Sequence, residues 1–133
     1  MSFQEIEHTA DRAFRVTGRN MADLLENAAR AIQAVNGPRT MGKASGTREI
    51  QVEGVDRESL LVNWLNEILY LEQAHQLACE QFEIVELKND HLRARVETRS
   101  CGQDHTHIKA VTFHNLEIRE SPEGLEAEIV VDV

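Results

Sequence analysis

The chain has 133 residues, 41% hydrophobic and 28% charged, with 14 Lys and Arg against 23 Asp and Glu for a net charge of −9. This size and balance fit one soluble globular domain over residues 1–133 and exclude a disordered chain. They also argue against stable nucleic-acid binding or an anionic membrane surface, and favour a basic protein surface or a cation as partner.

No apolar run approaches the ~20 residues of a membrane span. The start, Met1-Ser2-Phe3-Gln4-Glu5, lacks the basic-then-apolar pattern of a secretion signal. Cys79 and Cys101 form no CxxC motif. They are expected to be reduced thiols of a cytoplasmic protein.

From the N-terminus, Phe3 to Val16 reads as extended, with Phe14 and Val16 alternating about Arg15. A helix follows. Asn20 supplies an N-cap, Asp23 a first-turn carboxylate, and Met21, Leu25, Ala28, Ala29 and Ile32 one apolar face. Asn36-Gly37-Pro38 ends it, because Gly permits a left-handed cap and Pro cannot continue a helix. Residues 37–46, rich in Gly and Ser, read as a mobile loop.

Arg48 to Glu53 reads as a strand with Ile50 and Val52 on one face. A second helix starts at the Asp56 cap. Its broad stripe of Leu60, Leu61, Trp64, Leu65, Ile68, Leu69 and Leu71 predicts burial across a sheet. Phe82, Ile84 and Leu87, a turn at Asn89-Asp90, and alternating Leu92, Ala94 and Val96 predict two strands. Ile108 to Ile118 reads as one further strand. After a turn at Ser121-Pro122-Glu123-Gly124, Leu125, Ala127, Ile129 and Val131 alternate to the end. The predicted class is α+β, a mainly antiparallel sheet covered by two helices.

Four constellations could carry chemistry. His8-Thr9-Ala10-Asp11 lies between two extended pieces; it reads as a capped turn or as a pair of ligands. At the end of the chain, alternation directs Asp132 away from the Val131 face and beside the carboxylate of Val133. Two such carboxylates repel unless a cation or a basic group lies between them, and hard cations such as Ca²⁺ take oxygen ligands of this kind. In Asp104-His105-Thr106-His107, the two imidazoles have H-x-H spacing, with His114 or Cys101 as further candidates for a zinc or iron site. Polar loop histidines are the simpler reading. Lys109, inside an apolar strand, either snorkels outward, pairs structurally, or serves as a basic group beside the acidic site. There is no GxGxxG, GxxxxGK[ST] or GxSxG, so no nucleotide cradle or serine nucleophile is evident.

Taken in order, His8-Thr9-Ala10-Asp11, the segment from Leu60 to Leu71 (LLVNWLNEILYL), the segment from Ile108 to His114 (IKAVTFH) and Val130-Val131-Asp132-Val133 resemble the archease family over essentially the whole chain. The resemblance implies an archease-like α+β fold without enzymatic activity of its own. It implies an accessory role to the GTP-dependent tRNA-splicing RNA ligase, promoting ligase guanylylation and repeated turnover. A second implied role is chaperone or oligomerisation modulator of a tRNA methyltransferase or another RNA-processing protein.

Carried over by position, Asp11, Asp132 and Val133 would bind a divalent ion of calcium type, and Lys109 would matter for activation. His8, His105, His107 and His114 are weaker candidates. The sequence departs from the family pattern at Asn63, where an acidic residue is expected, and in the short loop from Arg99 to His107. A small metal-dependent hydrolase built on Asp104, His105 and His107 is the rival enzymatic reading.

Overall fold

Helix ends, turns and alternation appear where local chemistry places them. The computed structural model describes residues 2–7, 12–36, 41–101, 108–113 and 116–132. The N-terminal extended region is a hairpin of β1 (Ser2–Glu7) and β2 (Arg12–Gly18), paired antiparallel from Ser2 opposite Thr17 to Glu7 opposite Arg12. Helix α1 (Met21–Asn36) begins where Asn20 Oδ1 accepts the N–H of Asp23 at 2.9 Å. Helix α2 (Arg57–His75) begins with a reciprocal cap: Asp56 accepts from the Ser59 N–H at 2.7 Å, and Ser59 Oγ accepts from the Asp56 N–H at 3.0 Å. It ends at Gln76, whose left-handed φ of 53° turns the chain directly into the next strand.

The strands divide into two antiparallel sheets. In the first, the order is β1, β2 and β8 (Gly124–Asp132), with β6 (Ala110–Thr112) and β7 (Ile118–Ser121) both paired to β8. In the second, β5 (His91–Cys101) lies between β3 (Met41–Glu53) and β4 (Leu77–Leu87). Helix α1 packs on β2 and β4, and α2 on β3, β4 and β6, so each helix meets strands of both sheets. This explains why the stripe on α2 is so broad. Leu60, Leu61, Val62, Trp64, Leu65, Ile68, Leu69 and Leu71 are all buried because the helix is covered from two sides. The shared core runs from Phe14 and Val16 through both helices to Ile129 and Val131. The predicted α+β class with two helices therefore holds, with the strands apportioned to two sheets.

Two expectations are corrected. Residues 41–46 are not loop but the first part of β3, carried past the core by the long arms of β4 and β5. Their ladder shifts register between Met41 and Ala44 and again between Ala44 and Gly46, where Gly46 adopts φ +114°. Residues 42–49 are exposed, yet the pairing is reinforced by side chains: Thr98 Oγ1 donates to the Gly46 carbonyl at 3.1 Å and Arg99 Nη1 to the Gly42 carbonyl at 2.9 Å. Main-chain pairing needs no apolar side chains, so a pattern that senses burial does not register it.

Nor is the segment from Ile108 to Ile118 one strand. Thr112 stands opposite Val130 and Ile118 opposite Ala127. The five residues 113–117 thus span an interval that two, 128 and 129, occupy on β8. The excess chain interrupts the ladder, leaving two short strands on one neighbour. Phe113, in the interruption, is 54% exposed.

Candidate functional site

Strand β8 carries Asp132 and meets the segment bearing Lys109. Its inward residues Ala127, Ile129 and Val131 are buried and Asp132, its last residue, is exposed. On one side of β8, Arg12 stands opposite Val131. On the other, Ala110 stands opposite Asp132 and Val111 opposite Val131. Lys109 donates its N–H to the Asp132 carbonyl at 2.7 Å. Lys109, just before β6, and Ala110, its first residue, thus both meet Asp132 on β8.

The segment bearing Lys109 is held by three amide side chains that the sequence reading did not single out. Asn36, fully buried at the end of α1, accepts from the Ile108 N–H at 3.0 Å. Gln73 Nε2 donates to the Ile108 carbonyl at 3.1 Å. Asn66 takes both polar groups of Val111: its Oδ1 accepts from the N–H at 2.8 Å and its Nδ2 donates to the carbonyl at 3.1 Å. A signal existed in the sequence, since Asn66 and Gln73 fall seven residues apart and so share one face of α2.

Lys109 and Asp132 are therefore neighbours through their main chains, and both are exposed. No ion pair links their side chains among the described residues. Of the other candidates, Asp11, Val133, His8, His105, His107 and His114 lie outside the described residues, as does Asp104. Cys101 is half-buried on β5 of the second sheet and Cys79 is buried on β4, and among the described residues neither forms a disulfide. Among the described residues no group of three or more His, Cys, Asp or Glu side chains could hold a metal ion. The predicted donor set is nonetheless all oxygen, and Asp132, its one described member, presents an exposed carboxylate. Such a set fits a hard cation of calcium type rather than zinc.

A separate titratable cluster lies at the turn between β4 and β5. His91 bridges Glu86 Oε1 at 3.0 Å through Nε2 and Asp90 Oδ1 at 3.2 Å through Nδ1. The Glu86 hydrogen bond, then that of Asp90, raises the His91 pKa above its ordinary value. The His91 bond in turn lowers that of Glu86. The basic residues Arg93, Arg95 and Arg99 on β5 pair with Glu49 and Glu86, Glu83, and Glu80, so this basic run is compensated locally. No described helix is long and apolar enough to cross a membrane.

With this geometry in view, the chain matches known proteins over nearly its whole length. The archease of Methanosarcina acetivorans is 33% identical, covering 98% of this chain and 95% of its own. A Methanobacterium thermoautotrophicum protein solved in solution superposes with a TM-score of 0.76 at 27% identity, covering 98% of each chain. An archease of Thermotoga maritima, described as a possible chaperone, superposes with a TM-score of 0.70 at 25% identity, covering 96% of this chain and 94% of its own. The model of the Archease protein family matches residues 3–133, and the chain belongs to that family.

Proposed function

We propose that this protein is a cytoplasmic, non-enzymatic activator of the GTP-dependent tRNA-splicing RNA ligase, promoting guanylylation of the ligase and its repeated turnover. The observation that carries this reading is the meeting of Lys109 and Asp132 at one edge of the first sheet, in a chain of the archease family. Arg12 stands opposite Val131, which precedes Asp132. Asp11, Asp132 and Val133, by its carboxylate where it ends the chain, would hold a calcium-type ion. When bound, such an ion supplies positive charge for phosphate oxygens.

The remaining chemistry belongs to the chain's own groups. Lys109 offers three donors on a flexible stem, suited to a phosphate or a carboxylate on the ligase. The acid excess of the chain, 23 against 14, favours approach to a basic surface over stable contact with RNA.

The test is multiple-turnover ligation by the cognate ligase, with wild type, Asp11→Ala and Lys109→Ala. Stimulation by wild type and loss in both variants is expected. Absence of stimulation by wild type would overturn the ligase role and favour a chaperone of a tRNA methyltransferase. The description of the Thermotoga maritima relative as a possible chaperone supports that second reading.

A further inference from the structure

Strand β6 is only three residues long and, among the described residues, is paired to β8 on one side alone. Its other side would present unpaired main-chain groups, yet both polar groups of Val111 are taken by one side chain, the carboxamide of Asn66. A primary amide carries one acceptor oxygen and a two-donor nitrogen, so it can answer a peptide's N–H and C=O together, as a neighbouring strand would. Asn66 sits on α2 between Leu65 and Ile68, both fully buried, so its backbone belongs to a helix anchored in the core. Two residues before Val111, Lys109 donates its N–H to the Asp132 carbonyl.

We infer that Asn66 is a positioning residue: by acting as a surrogate strand for Val111 it sets the height of β6 against β8, and so where Lys109 and Asp132 stand relative to each other. The consequence for binding rests on the function proposed above; the consequence for geometry does not. Side chains that orient ligand-bearing groups affect metal affinity by about tenfold to a hundredfold when removed.

Asn63, three residues earlier on α2, gives a matched control. Its Nδ2 donates to the Glu53 carbonyl at 2.8 Å, on β3 of the other sheet. Asn66→Asp and Asn63→Asp make the same change of charge on the same helix. Each retains an acceptor and loses the donor, but only the first bonds the strand that follows Lys109. The experiment compares these two variants and Asn66→Ser with wild type. It reads amide hydrogen exchange at residues 109–112, the amide shift of Lys109 and the carboxylate carbon shift of Asp132, and calcium affinity by titration calorimetry.

Exchange at Val111 is expected to quicken at least tenfold in both Asn66 variants, with displaced Lys109 and Asp132 signals. Calcium affinity should fall about tenfold or more. Asn63→Asp should leave all three as in wild type. Unchanged exchange and shifts in the Asn66 variants overturn the proposal. So do equal changes in Asn63→Asp, which would mark a general loosening of α2. If wild type binds no calcium, the metal part of the functional reading fails, while the exchange and shift comparison still decides the positioning role.

Discussion

The indole Nε1–H of Trp64 donates to the Leu25 carbonyl at 2.9 Å, so the two helices are joined by a hydrogen bond inside the core. The same ring meets Phe82 of β4 edge-on, with centroids 6.2 Å apart and planes at 80°. One side chain thus ties α2 to α1 and to the second sheet. Trp64→Phe removes the donor and part of the ring, leaving a carbonyl with one partner fewer and a small cavity, an expected loss of at least about 1–3 kcal/mol. Trp64→Ala also empties the space of a fully buried ring and should cost about 3–5 kcal/mol. Urea denaturation followed by circular dichroism distinguishes the two.

Gly124 closes the turn into β8 at φ +134°, and a Cβ there would lie 2.3 Å from the Gly18 carbonyl oxygen at the end of β2. Both the backbone angle and the backbone contact oppose a side chain. Gly124→Ala should therefore destabilise by at least about 1–3 kcal/mol, which a thermal melt will read. A change near zero would show that the turn can be rebuilt without cost to the β2–β8 pairing.

His91 gives the second sheet a dependence on pH whose sign can be worked out. Its folded pKa is raised above about 6.5, chiefly by the Glu86 hydrogen bond. Its contribution is fully present below about 6.5 and lost as pH rises through the folded value. Glu86 behaves oppositely: its pKa is lowered below about 4.5, chiefly by His91, so its contribution is present above about 4.5 and lost as pH falls through the folded value. The turn between β4 and β5 should be most protected from exchange between these limits. In His91→Gln, the upper limit should vanish from a pH series of amide exchange.

Lys109 and Asp132 are exposed, so Lys109→Met and Asp132→Asn should change stability by no more than about 0.5 kcal/mol. Each should nonetheless abolish ligase stimulation. With calcium bound as proposed, calcium at a hundred times its Kd should raise wild-type stability by about 2.7 kcal/mol. Asp132→Asn should reduce that gain sharply, and so should residues added after Val133. Equal calcium stabilisation in all these proteins would remove the metal site.

Both helices were legible because their signals are local. Asn20 and Asp56 cap them, and the apolar face of α1 and the wide stripe of α2 follow helical spacing. Alternation likewise marked Leu92, Ala94 and Val96 on β5, and Ala127, Ile129 and Val131 on β8, all of them buried. Residues 41–46 were missed because Met-Gly-Lys-Ala-Ser-Gly, paired through its main chain, has no alternating apolar pattern. The break between β6 and β7 was missed because Ile108 to Ile118 is apolar enough to read as continuous. The interruption is forced by the spacing of partners on β8, which no local window contains.

The same division holds at the candidate site. By itself, the sequence determined which groups are available: an excess of carboxylates, Asp132 at the end of an apolar strand, and a lone Lys109 in a second one. Residue type and period-2 spacing depend on neighbours along the chain, and they can be read there. Only the tertiary structure decided that Lys109 bonds to Asp132, 23 residues away, and that Asn36, Asn66 and Gln73 hold the segment between two helices and a sheet. The choice of partners was settled by the need to bond every buried main-chain polar group, a condition met across distant segments of the folded chain.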